Sequence, residues 1–316
     1  MRKGKRLIAW IMAVVMLFTI CVFGGNGTAE AAATTPVAKH GRLSVKGADL
    51  VDSKGNKFQL RGISTHGINW DVGSPYVNKK AFKTLRDDWG VNAIRLAMYT
   101  EEYNGYCSGG SQAKLRKLVD KGVGYATDLG MYAIIDWHIL SDGNPNKNKS
   151  QAKKFFTTMA KKYKNNKNVI YEICNEPNGC SWKEIKSYAT DIIKTIRKYD
   201  KKAVIIVGTP TWSQLGTDGT SNEVADSPIK GYKNIMYSLH FYASEWAHNE
   251  YLPAKVAYAR KKKLPIIVSE FGLSPASGDG AINKASADKW MKLLNKYNIS
   301  YFCWSLSNKN ESASLL

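Results

Sequence analysis

From residue 58 to residue 306, short apolar runs rich in β-branched residues alternate with longer amphipathic stretches. The short runs are Phe58–Thr65, Val91–Tyr99, Met131–His138, Val169–Glu176, Ala203–Thr209, Ile235–Ala243, Pro265–Phe271 and Ile299–Leu306. Runs of this length and composition read as strands, and the stretches between them as helices. Ser150–Asn165 sets Phe155, Phe156, Met159 and Tyr163 on one helical face, and Ser181 stands where a cap would start a helix running to Tyr199. Thr211–Lys233, rich in Gly, Thr and Asp, predicts a long loop. Ahead of this rhythm, Arg42–Val45 and Phe58–Ile63 flank the turn residues Asp52–Asn56 and predict a hairpin.

Eight apolar strands alternating with helices predict an α/β fold, a parallel sheet closed into a TIM (β/α)8 barrel. The competing fold, an open doubly wound sheet, carries a Gly-rich phosphate loop after its first strand. Here that position reads Ser64-Thr65-His66-Gly67-Ile68-Asn69-Trp70, without the glycine spacing. An eighth helix is expected after the eighth strand, but the sequence reaches Leu316 first, which points to a barrel truncated at its C-terminus.

The first residues follow a different pattern. Arg2, Lys3, Lys5 and Arg6 precede an apolar run from Leu7 to Phe23, and Ala29-Glu30-Ala31 fits an A-x-A cleavage site. This predicts a secretory signal peptide over residues 1–31 rather than a membrane anchor, then a linker over 32–39 and a catalytic barrel over 40–316. The expected protein is secreted, extracellular and monomeric, with no lasting membrane association. The net charge is +20, and +17 without residues 1–31. Its lysines are scattered along helical stretches with no recognition motif, so a nucleic-acid partner is not expected. Cys107, Cys174, Cys180 and Cys303 have no zinc spacing, and no metal or organic cofactor is expected. A Cys174–Cys180 disulfide stays open at this stage.

Polar residues gather at the C-terminal ends of the strands, the face that carries the active site in such barrels. The ends read Arg95 and Tyr99, Asp136-Trp137-His138, Asn175-Glu176-Pro177, His240-Phe241-Tyr242, Ser269-Glu270-Phe271-Gly272 and Cys303-Trp304-Ser305. Strand alternation sets His240 with Tyr242 and Arg95 with Tyr99 on shared faces, and likewise Glu172, Cys174 and Glu176, with Glu172 deeper and structural. Two carboxylates facing one cleft are what glycoside hydrolysis needs, one as proton donor and one as nucleophile. Spacing alone leaves Glu176 and Glu270 open between that chemistry and a structural role.

At these residues the chain resembles glycoside hydrolase family 5, the cellulase family. The likeness runs through Gly62-Ile63-Ser64-Thr65-His66, Ile94-Arg95-Leu96, Ile134-Ile135-Asp136-Trp137-His138, Tyr171-Glu172-Ile173-Cys174-Asn175-Glu176-Pro177, His240-Phe241-Tyr242, Ser269-Glu270-Phe271-Gly272 and Trp304-Ser305-Leu306-Ser307-Asn308-Lys309. The resemblance implies a retaining mechanism, with Glu176 as acid/base and Glu270 as nucleophile. It implies support from Arg95, His138, Asn175, His240, Tyr242 and Trp304, Asn175 meeting the sugar 2-hydroxyl. It implies sugar subsites at His66, Trp70, Tyr99, Trp212, Lys309 and Glu311, although Trp70 and Trp212 also suit plain packing. The expected reaction is hydrolysis of internal β-1,4 bonds in cellulose-type glucan. The alternatives are the same chemistry on mannan, xyloglucan or mixed-linkage glucan, and a non-catalytic carbohydrate-binding barrel.

Overall fold

A computed structural model describes residues 35–316. The expected signal peptide lies outside the described residues. Among those described, no helix is long and apolar enough to cross a membrane.

The chain enters through a short helix, α1 (Pro36–His40), where a linker was expected. The Thr35 hydroxyl caps it and proline opens its first turn, both favourable at a helix start. A two-stranded antiparallel sheet follows, β1 (Ser44–Lys46) and β2 (Asp49–Val51), around a tight turn at Gly47 with φ +62°. The expected hairpin therefore pairs different residues. The turn at Asp52–Asn56 does form, because Asp52 Oδ1 accepts from the backbone N–H groups of Lys54 and Asn56, each at 2.9 Å. Beyond it only a single bridge, Val51 to Lys57, continues the pairing, and the next segment joins the barrel instead.

Eight parallel strands close on themselves: β3 (Arg61–Thr65), β4 (Ala93–Tyr99), β5 (Tyr132–His138), β6 (Val169–Glu172), β7 (Ile205–Val207), β8 (Ile235–Tyr242), β9 (Ile266–Gly272) and β10 (Tyr301–Leu306). The last pairs with the first, Tyr301 beside Arg61, so the sheet has no free edge. The outer helices are α2 (Lys79–Asp87), α3 (Gln112–Asp128), α4 (Lys149–Tyr163) and α5 (Trp182–Arg197). They continue as two single turns, α6 (Pro210–Ser213) and α7 (Glu223–Asp226), then α8 (Trp246–Lys261) and α9 (Lys284–Lys296). Phe155, Phe156, Met159 and Tyr163 are buried on α4 as their spacing predicts. Ser181 caps α5, and Glu184 bonds back to complete a capping box. The expected loop at Thr211–Lys233 holds the end of α6 and all of α7.

Alternation divides each strand's side chains between two environments. On β4, Ile94, Leu96 and Met98 pack outward under the helices, while Ala93, Arg95, Ala97 and Tyr99 point into the barrel. The lower interior is apolar, with Leu43 and Leu50 of the N-terminal segment closing its floor over Ile134, Ile206, Met236 and Phe302. Truncating either leucine to alanine would cost about 2–5 kcal/mol. Above this floor the interior turns polar. After β10 the chain runs through residues 307–316 without a helix, its ends held by hydrogen bonds from Leu315 to Ser305 and from Leu316 to Ser307. All four described cysteines are free thiols, so no Cys174–Cys180 disulfide forms.

Candidate active site

Arg95 is wholly buried at the centre of the polar layer. It makes four hydrogen bonds and a further ion pair. Nε donates to Glu172 Oε2 at 2.7 Å, and Nη1 to Glu270 Oε2 at 3.0 Å and Ser64 Oγ at 3.3 Å. Nη2 donates to Asn175 Oδ1 at 2.6 Å and lies 3.1 Å from Asp136 Oδ2. Burial pulls the guanidinium toward losing its proton, but the carboxyl groups of Asp136, Glu172 and Glu270 outweigh that and hold it charged. Glu172 is the structural partner expected from sequence. Its other oxygen accepts from Ser238 at 3.1 Å and Ser269 at 2.6 Å.

Two departures from regular strands bring the key carboxyl groups together. Strand pairing on β6 ends at Glu172, and Cys174 packs with Ile173 in the outer apolar layer, not on the inner face with Glu172 as alternation predicts. With the pleat lost, the consecutive residues Asn175 and Glu176 both turn toward the barrel axis. On β9 there is a bulge. Ser238 and His240 of β8 pair with Ile267 and Glu270, and Tyr301 and Cys303 of β10 with Val268 and Phe271. Both neighbours thus meet one extra residue in β9, so Ser269 and Glu270 point inward together.

Glu270 accepts at both oxygens, from Arg95 and from the Tyr242 hydroxyl at 2.8 Å. Glu176 sits differently. Burial pushes its carboxyl up to about 8, with Asp136 and Glu172 adding to the rise and Arg95 opposing it. Its Oε1 lies 2.8 Å from Nδ1 of His240, whose own pKa burial lowers to about 4. An oxygen of Glu176, an oxygen of Glu270 and a ring nitrogen of His240 all lie within 4.8 Å of one another.

The surrounding network fixes tautomers. Ser269 donates to Glu172, so it accepts from His240 Nε2 at 2.9 Å, and His240 Nδ1 is left to accept a proton from Glu176. On the other side, Asn175 Nδ2 donates to His138 Nε2 and to the Ile139 carbonyl, each at 3.1 Å. His138 Nδ1 then shares one proton with Asp136 across 2.6 Å, burial lowering the histidine to about 3 and raising the aspartate to about 7.

A cleft of about 500 Å³ opens above this layer. Eleven of the residues predicted from sequence line it: His66, Tyr99, His138, Glu176, Trp212, His240, Tyr242, Glu270, Trp304, Lys309 and Glu311. Arg95 and Asn175 lie buried beneath, and the Asn175 amide is fully committed to protein partners. Trp70 is the exception. It packs on Tyr99 with ring centres 4.5 Å apart, and its Nε1 donates to the Tyr103 carbonyl at 2.7 Å, outside the cleft lining. Trp304 stacks on His138 at 5.3 Å. Glu311 contacts Lys309 and lies 3.7 Å from His66 Nε2, and the backbone at Gly278 closes over it. Burial, then the charges of Lys309 and His138, lower His66 to about 4.

Trp212 is held by an unusual turn. Thr211, Trp212 and Ser213 all have positive φ, at 57°, 52° and 61°, a strained run for residues with side chains. Ser213 Oγ donates to the Asn175 carbonyl at 2.6 Å, and Trp212 N–H to the Pro177 carbonyl at 3.1 Å, fixing the turn to the segment that carries Glu176. Sequence reasoning missed Ser269, the network role of Asp136, and the cleft residues Gln214, Glu245 and His248. Asp136 and Ser269 stand inside quoted motifs, whereas nothing in the sequence marks the other three.

A closed parallel barrel with two inward carboxyl groups in unlike surroundings, below an aromatic-lined cleft, defines a glycosidase-type barrel. A family model described as cellulase (glycosyl hydrolase family 5) matches residues 51–310, and the chain belongs to that family. It is 47% identical over 281 residues to endoglucanase A of Butyrivibrio fibrisolvens, covering 88% of this chain and 63% of that protein. It is 47% identical over 317 residues to an endoglucanase of Clostridium saccharobutylicum, covering 99% of this chain and 66% of that protein. The chain thus spans less than two thirds of these relatives' lengths. Among solved structures, the catalytic domain of Thermobifida fusca endoglucanase Cel5A with cellotetraose superposes with a TM-score of 0.80 at 38% identity, covering 89% of this chain and 90% of that one. A second, cellulase Cel5C_n, gives 0.84 at 39%, covering 90% and 86%.

Proposed function

We propose that this chain is an endo-acting β-1,4-glucanase that cleaves cellulose-type chains with net retention. The observation that carries the reading is the unlike setting of the two carboxyl groups. Glu176 is protonated against His240 with a pKa near 8, and Glu270 is clasped by Arg95 and Tyr242. Glu270 acts as nucleophile and Glu176 as acid/base. Their approach within 4.8 Å supports retention, since inverting enzymes hold the pair about 6.5–9.5 Å apart to seat a water.

In the first step Glu270 attacks the anomeric carbon while Glu176 gives its proton to the glycosidic oxygen. The C–O bond breaks, the leaving chain departs, and a glycosyl ester forms on Glu270. In the second step Glu176, now a carboxylate, takes a proton from water as that water attacks the same carbon and releases Glu270. Arg95 and Tyr242 hold the attacking carboxylate in line. His66, Tyr99, Trp212, Trp304, Lys309 and Glu311 are assigned to sugar binding, and His138 and Asn175 to fixing the floor beneath the reacting sugar. Trp70 acts through its packing on Tyr99. The basic and apolar leader supports export of the enzyme to the extracellular medium.

Reducing-sugar release from carboxymethylcellulose tests the reading, comparing the chain with Glu270→Gln. The wild type is expected to release sugar and the variant to lose at least about a thousandfold. Activity surviving the substitution would remove Glu270 from the role. Running xyloglucan, mannan and mixed-linkage glucan in parallel tests the substrate, with faster turnover of any of them overturning the cellulose assignment.

A further inference from the structure

Among the described residues seven large apolar side chains are exposed, and three of them, Trp212, Trp246 and Tyr251, stand on the segments following β7 and β8. Trp246, 68% exposed, is the first residue of α8. Glu245 just before it and His248 two residues after it both line the cleft, so Trp246 sits on the cleft's rim. A lone exposed aromatic needs no explanation. This one is braced. The Tyr251 ring meets it edge-on at 5.8 Å, and Gly219 packs so close behind Tyr251 that a Cβ there would fall 2.9 Å from the ring. Lys255 donates to the carbonyls of Gln214 and Asp218, tying that loop to α8. The polar neighbours are fixed as well. Glu245 accepts from Ala276 N–H at 2.7 Å, and His248 from Tyr242 N–H at 2.9 Å.

The two ends of the cleft are distinguishable. His66, Tyr99, Lys309 and Glu311 gather at one, and Trp212, Gln214, Glu245 and His248 at the other. Trp212 is bonded to Pro177, next to Glu176, so its end belongs to the leaving group that Glu176 protonates.

We propose that Trp246, backed by Tyr251, is a binding platform on the leaving-group side that stacks a β-linked glucosyl unit further out than the one over Trp212. The inference rests on the β-glucanase reading. An all-equatorial glucose ring presents flat arrays of C–H bonds to an indole face, and a braced ring binds with little loss of freedom. The occupant is the same glucan chain, because the platform continues the cleft rather than forming a separate patch.

The test is steady-state kinetics of Trp246→Ala and Trp246→Phe on cellohexaose and on nitrophenyl cellobioside, whose aryl group ends short of Trp246. The alanine variant should raise KM for cellohexaose by about threefold to tenfold with kcat held, and the phenylalanine variant should recover much of that. The rise on cellohexaose should exceed the rise on the short substrate by the same factor. An unchanged KM for cellohexaose, or an equal rise on both substrates, would overturn the platform. A wild-type chain inactive on both would overturn the glucanase reading and the platform with it, a result distinct from loss of the chain-length effect alone.

Discussion

His240 Nδ1 lies 2.8 Å from Glu176 Oε1 and points a lone pair at it, because the other ring nitrogen must donate to Ser269. The order of donors from Glu176 through His240 and Ser269 to Glu172 keeps a proton on Glu176. Ser269→Ala removes the acceptor for His240 and a donor to Glu172. It should cost about 1–3 kcal/mol of stability by leaving buried polar groups unpaired. It should also free the histidine to change tautomer and donate to Glu176, moving the alkaline limb of the kcat/KM profile to lower pH. A profile superimposable on wild type would dismiss the chain of donors as a functional device.

The pH dependence follows from the raised carboxyl. Glu176 must be protonated to act as acid, so kcat/KM should fall about tenfold per pH unit once pH passes about 8. The same shift sets the sign for stability. A carboxyl whose pKa is higher folded than unfolded makes the native state bind more protons between the two values. Stability from this group therefore declines as pH rises from the unfolded value of about 4.5 through about 8. Denaturant titrations at pH 5 and pH 9 should show Glu176→Gln gaining on wild type across that interval, and parallel slopes would contradict the assignment.

Glu176→Gln also separates the acid role from general damage. Loss of a general acid costs about 10²–10⁴-fold where the leaving group needs a proton. On dinitrophenyl cellobioside, whose leaving group departs as a stable anion, the first step should retain most of its rate. Stopped-flow release of dinitrophenol checks this. Equal losses on both substrates would assign Glu176 to positioning.

Arg95 is the electrostatic keystone of the polar layer. Arg95→Met should destabilise the fold by about 3–5 kcal/mol, because Asp136, Glu172 and Glu270 lose their common counter-charge while buried. Urea unfolding midpoints measure it, and a loss below 1 kcal/mol would mean that protons replace the arginine at little cost. Arg95→Lys should rescue only part, since one ammonium cannot reproduce a five-donor fork.

Much of this fold was legible in sequence because its strands are buried on both faces and its helices are amphipathic. All eight strand runs were found, with ends off by up to four residues, as at Val169–Glu176 against Val169–Glu172. The hairpin register was misread because Gly47 makes a turn earlier than Asp52–Asn56 does. Nine of the eleven cleft residues were legible because each sits at a strand end or in a motif, whereas Trp212 and Glu311 rested on the family resemblance alone. Glu245, His248 and Trp246 were not, since they lie on the start of α8, where nothing in a single sequence separates a cleft rim from ordinary surface. Cys174 was misplaced because strict alternation was carried past the point where β6 stops pairing.

The bulge on β9 makes the position of Glu270 a matter of counting as well as of residue type. Deleting Ser269 would restore an even ladder with both neighbours, and Glu270 would still face inward, but about 3.3 Å lower, at the level now held by the serine. There it would confront Glu172 and His240 instead of reaching Tyr242. A frame-preserving loss of three nucleotides would thus leave both carboxyl groups in the sequence and separate them in space. The number of residues between Ile267 and Phe271 therefore matters as much as the glutamate itself, and a chain lacking that extra residue would keep both glutamates and still be inert.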